Sequence, residues 1–374
     1  MNDSEYPVRR NPKVVIGATA LVVVIVIAAY GVLSWQGPTP TLTVYTYDSF
    51  LLWGDDPDNI DSTVFASFEE QHGIDVDIRR LNTDANGIVS RLIAESSNPV
   101  ADVVIGIDNI LILQSLTKSV LEPYTPTNID QIDSSIIIAL DAEHYISPFD
   151  FGLVTLIHRT SELNTTSNPE MENLTLTDLI GLSSMLVTEN PHFSSPGLAF
   201  LLSQIAVYDK LMEMDWKDWW QAVQDDIDVQ EGWTEAWGKW DTDPTKKILV
   251  SYGTDPAYDA SWTGEEPDTA IAPIYYEGQD YAWMQVEGIG LVKDGPHQTL
   301  GKAFIDYCIS SVVQQHIALN QWMFPANLNV ELDPVFDYAL HPNDVTLLNP
   351  LLPSTEIAAN LDSWLDEFDE IMIG

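Results

Sequence analysis

LTVYTYDSFLLWG (Leu42–Gly54) opens a pattern that ends at ADVVIG (Ala101–Gly106), and the segment between them decides the fold. Leu42 to Thr46 mixes apolar and β-branched residues in the short run expected of a strand. Asp61 or Ser62 can cap a helix running through Glu70, and Gly73 supplies a stop before a strand at Ile74–Leu81. Asn86 to Glu95 has helical spacing, and the apolar run of ADVVIG reads as a third, buried strand. Alternating strands and helices of this kind predict a largely parallel sheet with helices on its faces.

Working outward, the same alternation returns further along. Ser184–Thr188 reads as a strand, Pro196–Glu213 as a long helix, Ile227–Gln230 as a strand, Trp233–Trp240 as a helix and Ile248–Tyr252 as a strand. That is a second α/β unit. PFDFG (Pro148–Gly152) and the apolar run Tyr281–Val292 are the two stretches where the chain passes between units. The expected organisation is a first lobe from residues 42–147 plus about 281–325, and a second lobe from 148–280. Residues 326–374 form a C-terminal helical segment packing on the lobes. There is no tandem repeat or low-complexity tract. NTT at Asn164 and NLT at Asn173 fit the glycosylation pattern, a weak mark of outside surface.

Before the first strand, Val14–Leu33 runs for twenty residues without a charge, the length a helix needs to cross a hydrocarbon core of ~30 Å. Arg9, Arg10 and Lys13 precede it, so the positive-inside bias puts residues 1–13 in the cytoplasm and everything after Gln36 outside. The Arg9–Arg10 pair also fits a twin-arginine export signal. With no small-x-small cleavage site and no nearby cysteine, an uncleaved membrane anchor is the favoured reading. A stiff spacer, GPTPT (Gly37–Thr41), completes the linker over 34–41.

Composition narrows the function. Of 374 residues, 57 are acidic and 15 are Lys or Arg, a formal net charge of -42. No basic stripe is available to replace counterions on phosphates, so nucleic acid is excluded as a partner. The acids are dispersed rather than gathered into a tail, which suits a surface kept soluble in concentrated salt, as in a halophilic archaeon. A hydrophobic share of 45% supports a large core. The single cysteine, Cys308, rules out an intramolecular disulfide and a cysteine-based metal site. It lies in AFIDYCISS, whose helical apolar pattern predicts burial.

In parallel α/β sheets ligands sit beyond the carboxyl ends of strands. Sorting polar and aromatic residues by that rule collects Tyr47, Asp48 and Trp53 after the first strand. Asp84 precedes the second helix, and Asp108 with Asn109 follows the third strand. In the second unit the rule picks Ser194, Ser195, Trp233, Tyr252 and Tyr258, with Trp322 in NQWMFP (Asn320–Pro325), a loop between helices. Singly, each aromatic is as well explained by packing. Together they suit a flat organic cation, which ring faces attract by ~0.5–2 kcal/mol each. Ser195 fits an N-cap with Pro196 at the first helical position, leaving outward N–H groups that can receive a phosphate or simply be capped. No GxSxG, HExxH, GxxxxGK[ST] or GxGxxG stands in the right setting, and the seven histidines lack metal-ligand spacing.

These strings, with SPFDFG, SSPGLAFLL, GWTEAWG, LVSYGTDPAY and QVEGIG, run in one order from Leu42 to about Pro325. In that order the chain resembles the thiamine-binding proteins of ABC transporters, within the class of two-lobed extracytoplasmic solute receptors. The resemblance implies an α/β, two-lobed periplasmic-binding-protein-like (type II) fold, here preceded by one N-terminal transmembrane helix. It implies no cofactor and no catalysis, thiamine or a thiamine phosphate as ligand, and ABC permease subunits as partners. It further implies that Tyr47, Trp53 and Asp84 are first-lobe contacts, and that Ser194, Trp233, Tyr252, Tyr258 and Trp322 belong to the second lobe and hinge, with Ser195 beside Ser194. Two departures stand out. His192 and Phe193 replace an arginine and threonine common in relatives, and Asp255 replaces a serine, which disfavours phosphate. Alternatives are a receptor for a polyamine or for ferric ion, with Tyr275–Tyr276 as the tyrosine pair, and a thiamine-degrading enzyme using Cys308.

Overall fold

A computed structural model describes residues 39–373. The expected span at Val14–Leu33 lies outside the described residues, and among those described no helix is long and apolar enough to cross a membrane. The chain begins β1 (Thr41–Thr46), α1 (Ile60–His72), β2 (Asp75–Arg80), α2 (Ala85–Glu95) and β3 (Val103–Asp108). Gly73 ends α1 in the left-handed conformation (φ 63°), its N–H closing on the Glu69 carbonyl at 2.8 Å, as the sequence suggested. β1 pairs in parallel with both β2 and β3.

The long strand β4 (Ile146–Arg159) then leads to β5 (Leu186–Glu189), α3 (Ser195–Ile205), α4 (Trp216–Val223), β6 (Asp228–Gln230), α5 (Trp233–Thr242), β7 (Ile248–Tyr252), α6 (Asp255–Thr263) and β8 (Thr269–Ala272). A second long strand, β9 (Gln279–Val292), returns the chain to the first half, followed by α7 (Gln298–Cys308) and finally α8 (Ser354–Ile373). The strand order is β2-β1-β3-β9-β4-β7-β5-β6.

Several expectations need correcting. The sheet is parallel in each wing but antiparallel through its middle, where β9 pairs antiparallel with β3 and β4, and β4 with β7. The two passing stretches are themselves long strands, so each enters the sheet in the sense opposite to its neighbours. Ser183–Met185 is a tight 3-10 turn and the strand starts only at Leu186. The long helix is α-helical only to Ile205 and then widens into a π-helical segment, Ala206–Met212. NQWMFP does not join two helices: Phe324–Pro325 is a short strand paired with β4. The helix cap is one residue early: Ser194 is the cap, Ser195 the first helical residue and Pro196 the second.

Two apolar cores hold the wings. The first gathers residues between Leu42 and Leu153 with others from Ala282 to Ile317 and beyond. The second gathers Val154 to Ile274 with Leu348, Leu352 and the inward face of α8. That face carries Ile357, Leu361, Trp364, Phe368 and Ile371, the i, i+4, i+7 spacing of an amphipathic helix. Phe368 meets Trp220 of α4 edge-on at 4.8 Å. The C-terminal helix thus belongs to the second core. Cys308 is fully buried in the first.

Candidate functional site

The carboxyl ends of β1, β3, β5 and β7 face one another across the middle of the sheet, and a cavity opens there. Tyr47, Trp53, Asp84, Ser194, Ser195, Trp233, Tyr252, Tyr258 and Trp322 all line it. The structure therefore brings these nine to one place, while Asp48, Asp108 and Asn109, picked by the same rule, are not among the lining residues. It adds lining residues that sequence reasoning passed over, among them Trp237, Gln285, Glu287, Gln321 and Met323, and it places Asp255, singled out there as unfavourable to phosphate, in the lining as well.

Each side chain is held by identifiable local structure. The loop after β1 is pinned to the turn ending at Trp322: the Leu51 N–H donates to Gln321 Oε1 at 2.6 Å, the Trp53 N–H to the Asn320 carbonyl at 3.1 Å, and Trp322 Nε1 to the Trp53 carbonyl at 2.9 Å. Trp322 takes a left-handed conformation (φ 56°) to present its indole there. Tyr47 lies flat against Gly106, where an added Cβ would meet the ring at 2.6 Å, so only glycine fits beneath it. Trp233 and Trp237 sit one turn apart on α5, which puts both indoles on the same face. Trp233 Nε1 donates to Ser251 Oγ at 3.0 Å.

The aromatic wall is a set of edge-to-face contacts. Trp53 meets Trp233 at 5.2 Å, Trp237 at 6.2 Å and Tyr258 at 5.8 Å, all steeply inclined. Tyr258 also meets Trp237 at 5.9 Å and Trp322 at 5.3 Å. Rings from both wings thus close around one space, in the geometry their quadrupoles favour.

Beneath the rings lies a polar floor. Tyr47 donates to Glu287 Oε2 at 2.8 Å and accepts from Gln321 Nε2 at 2.6 Å, while Tyr252 donates to Gln285 Oε1 at 3.3 Å. Glu287 on β9 stands directly opposite Asp150 on β4, and neither Asp150 oxygen has a hydrogen-bond partner. Burial, reinforced by Glu287, drives the Asp150 carboxyl well above its usual range, and burial pushes Glu287 up to about 8. Burial likewise raises Asp255 to about 7. Asp84 also rises to about 7, through burial with repulsion from Asp48 and Glu235 added. Among the lining residues there is no Lys, Arg or His. Such a cavity is prepared for positive charge.

Three contacts tie the wings together across the cavity. Ser195 Oγ donates to Asp108 Oδ2, Asn86 Nδ2 donates to the His192 carbonyl at 2.7 Å, and Asp84 approaches Gly232 so closely that an added Cβ would meet its carboxylate at 2.7 Å. Asp108 is fully buried, its other oxygen accepting the Ile110 and Leu111 N–H groups at 2.8 Å each. His192 points away from the cavity toward Asp369 of α8, at 3.0 Å, and Phe193 is largely exposed. The Tyr275–Tyr276 pair does not line the cavity, and Tyr276 donates to the Leu211 carbonyl. Cys308 does not line it either. Among the described residues no cluster of His, Cys, Asp and Glu is placed to hold a metal ion.

Comparison with known proteins agrees with this architecture. The "Thiamine-binding periplasmic protein" of Brucella suis is 28% identical over 331 residues, 88% of this chain and 91% of that protein. The protein of the same name from Escherichia coli is 28% identical over 335 residues, 88% of this chain and 92% of its own length. A solved "Periplasmic thiamin binding protein" superposes with a TM-score of 0.74 at 27% identity, covering 89% of this chain and 96% of that one. A ferric binding protein from Campylobacter jejuni shares the fold, with a TM-score of 0.68 at 18% identity over 88% of this chain and 99% of its own. Residues 54–315 match the family described as "Bacterial extracellular solute-binding protein", and the chain belongs to that family.

Proposed function

We propose that the protein is the substrate-binding component of an ABC importer, taking thiamine or a thiamine phosphate into the aromatic cleft and delivering it to permease subunits. The observation that carries this reading is the cage of Trp53, Trp233, Trp237 and Tyr258 over a floor of Asp84, Asp255 and Glu287 with no cationic side chain. Flat rings match flat rings, and buried carboxylates offset the positive charge of a thiazolium. The relatives named as thiamine-binding proteins support the same ligand. In this reading Tyr47, Trp53 and Asp84 grip from one wing, and Ser194, Ser195, Trp233, Tyr252, Tyr258 and Trp322 from the other wing and hinge. Ligand that touches both wings stabilises the closed form, whose composite surface then meets the permease.

The binding domain works on the extracellular side, tethered by a single-pass anchor at Val14–Leu33, and the dispersed acidity suits a saline habitat. Ferric ion is the weaker reading, because the tyrosine pair stands away from the cavity, and the position of Cys308 gives no support to a thiol nucleophile. Calorimetry on the full chain in detergent and concentrated KCl, with thiamine, its phosphates, spermidine and ferric citrate side by side, tests the proposal. Thiamine or one of its phosphates should bind most tightly. Tighter binding of spermidine or iron would overturn it.

A further inference from the structure

The first turn of α3 is where an anionic group would dock in this cleft. Its first helical N–H groups lack intrahelical partners, and Ser194, 1% exposed, lines the cavity with an Oγ that has no hydrogen-bond partner. The surroundings of that turn are the wrong sign. Glu189, at the end of β5, is 0% exposed with both carboxylate oxygens unpartnered. Its backbone presses on the same turn, since a Cβ added at Gly197 would meet the Glu189 carbonyl oxygen at 2.5 Å and its Cβ at 3.0 Å. Asp255, 5% exposed, lines the cavity with Oδ2 unpartnered. The neighbouring hydroxyl, on Ser195, is taken by a third buried carboxylate, Asp108. His192, the nearest basic side chain in sequence, faces Asp369 instead.

We propose that this cleft admits the ligand only without its phosphate, and that Asp255, with Glu189 buried behind the same turn, turns the phosphorylated forms away. The inference rests on the thiamine reading given above and deepens it. A phosphate monoester brings between one and two negative charges at neutral pH, as a phosphorylated side chain does. Placed at α3, its charge meets the acids Asp255 and Glu189 and no cation among the lining residues, and a charge taken out of water without a partner weakens binding by about 100-fold or more. A hydroxyl tail meets no such repulsion. It can donate to Asp255 and pair with the unpartnered Ser194 hydroxyl on the way. A phosphoester hydrolysis outside the cell is then the class of reaction that must precede capture whenever the ligand arrives phosphorylated.

Calorimetry on the full chain in detergent, with thiamine and thiamine monophosphate against the native protein, Asp255→Ser and Glu189→Gln, decides it. The native protein should bind the monophosphate at least about 100-fold more weakly than thiamine. Each variant should bind the monophosphate at least tenfold more tightly than the native protein does, in absolute affinity. Glu189→Gln keeps the side-chain shape, so one variant remains informative if the other misfolds. Native affinities within tenfold of each other, or no gain for the monophosphate in a folded variant, would overturn the exclusion while leaving thiamine binding intact. Failure of the native protein to bind thiamine at all would overturn the ligand assignment, and this inference with it.

Discussion

Replacing Ser195 by alanine removes one hydroxyl, and the structure says which equilibrium that hydroxyl serves. Ser195 Oγ belongs to the second wing and donates to Asp108 Oδ2 in the first, so the bond exists only when the wings are together. Asp108 keeps its two backbone N–H donors in either state. A hydrogen bond to an ionised acceptor contributes about 1.5–3 kcal/mol, and its loss leaves a buried carboxylate oxygen unpaired. With 1.4 kcal/mol per factor of ten, the closed population, and the apparent affinity with it, should fall by about 10- to 100-fold. Calorimetry supplies the affinity. Small-angle scattering, with and without saturating thiamine, shows whether the closed form is still reached when ligand is abundant, as it should be. The Asp108→Asn variant completes a double-mutant cycle, in which the two losses should be strongly non-additive. An affinity within twofold of native, or losses that simply add, would refute a latch and make Ser195 an ordinary lining residue.

Trp237→Ala should weaken thiamine by about 1–3 kcal/mol in the same titration, since its indole joins the cage with Trp53, Trp233 and Tyr258; unchanged affinity would remove it from the site. Thiamine affinity should rise between pH 6 and pH 8, by up to about tenfold per pH unit for each proton displaced. Asp84 and Asp255 hold protons up to about 7 and Glu287 up to about 8, in a field to which Asp48, Glu235, Asp108, Asp150 and Glu189 contribute. Ligand-free stability has the opposite sign. These folded-state values lie above the ~4 of an unfolded carboxyl, so the folded chain holds the extra protons. Their contribution is complete below about pH 4 and lost as pH rises through 7 to 8, which thermal melts across that window would check. A flat affinity profile would show that the ligand's charge is not met by these acids. Cys308 is buried and its thiol is pushed up by that burial, so a thiol reagent should modify it only after denaturant is added; fast labelling of the native protein would contradict this packing.

What could be read from residues alone follows the range of the interaction that decides each feature. Gly73, the helix it ends and the strand that follows it are set by nearest-neighbour sterics and a local apolar pattern, and both wings were legible on that basis. Strand sense in the middle of the sheet was not, because β9 meets β4 only after the whole second wing has intervened. The same distance hid Glu287: as a lone acid within an apolar strand it reads as solvent-facing until Asp150 arrives opposite it. Trp237 was legible in principle, four residues after Trp233 on a helix already predicted, had the helical spacing been applied to GWTEAWG. The cap at Ser194 was missed by one position because proline is tolerated at either of the first two helical residues, so Ser-Ser-Pro suits both registers. Nine lining residues emerged together because the rule that selected them concerns strand ends rather than any one side chain, and for the same reason it also swept in Asp48, Asp108 and Asn109, which lie outside the lining.

The two strands that run through both wings also decide the order in which the molecule can be made. The first core lacks its central partner until β9 has been synthesised, and the second is unfinished until Ile371. Neither half has a complete core of its own, so a newly made chain has nothing durable to build until its last turns of helix are free. Assembly dominated by such distant pairings is slow and leaves apolar edges waiting. Cutting the molecule at the crossing should yield two insoluble fragments rather than two working lobes.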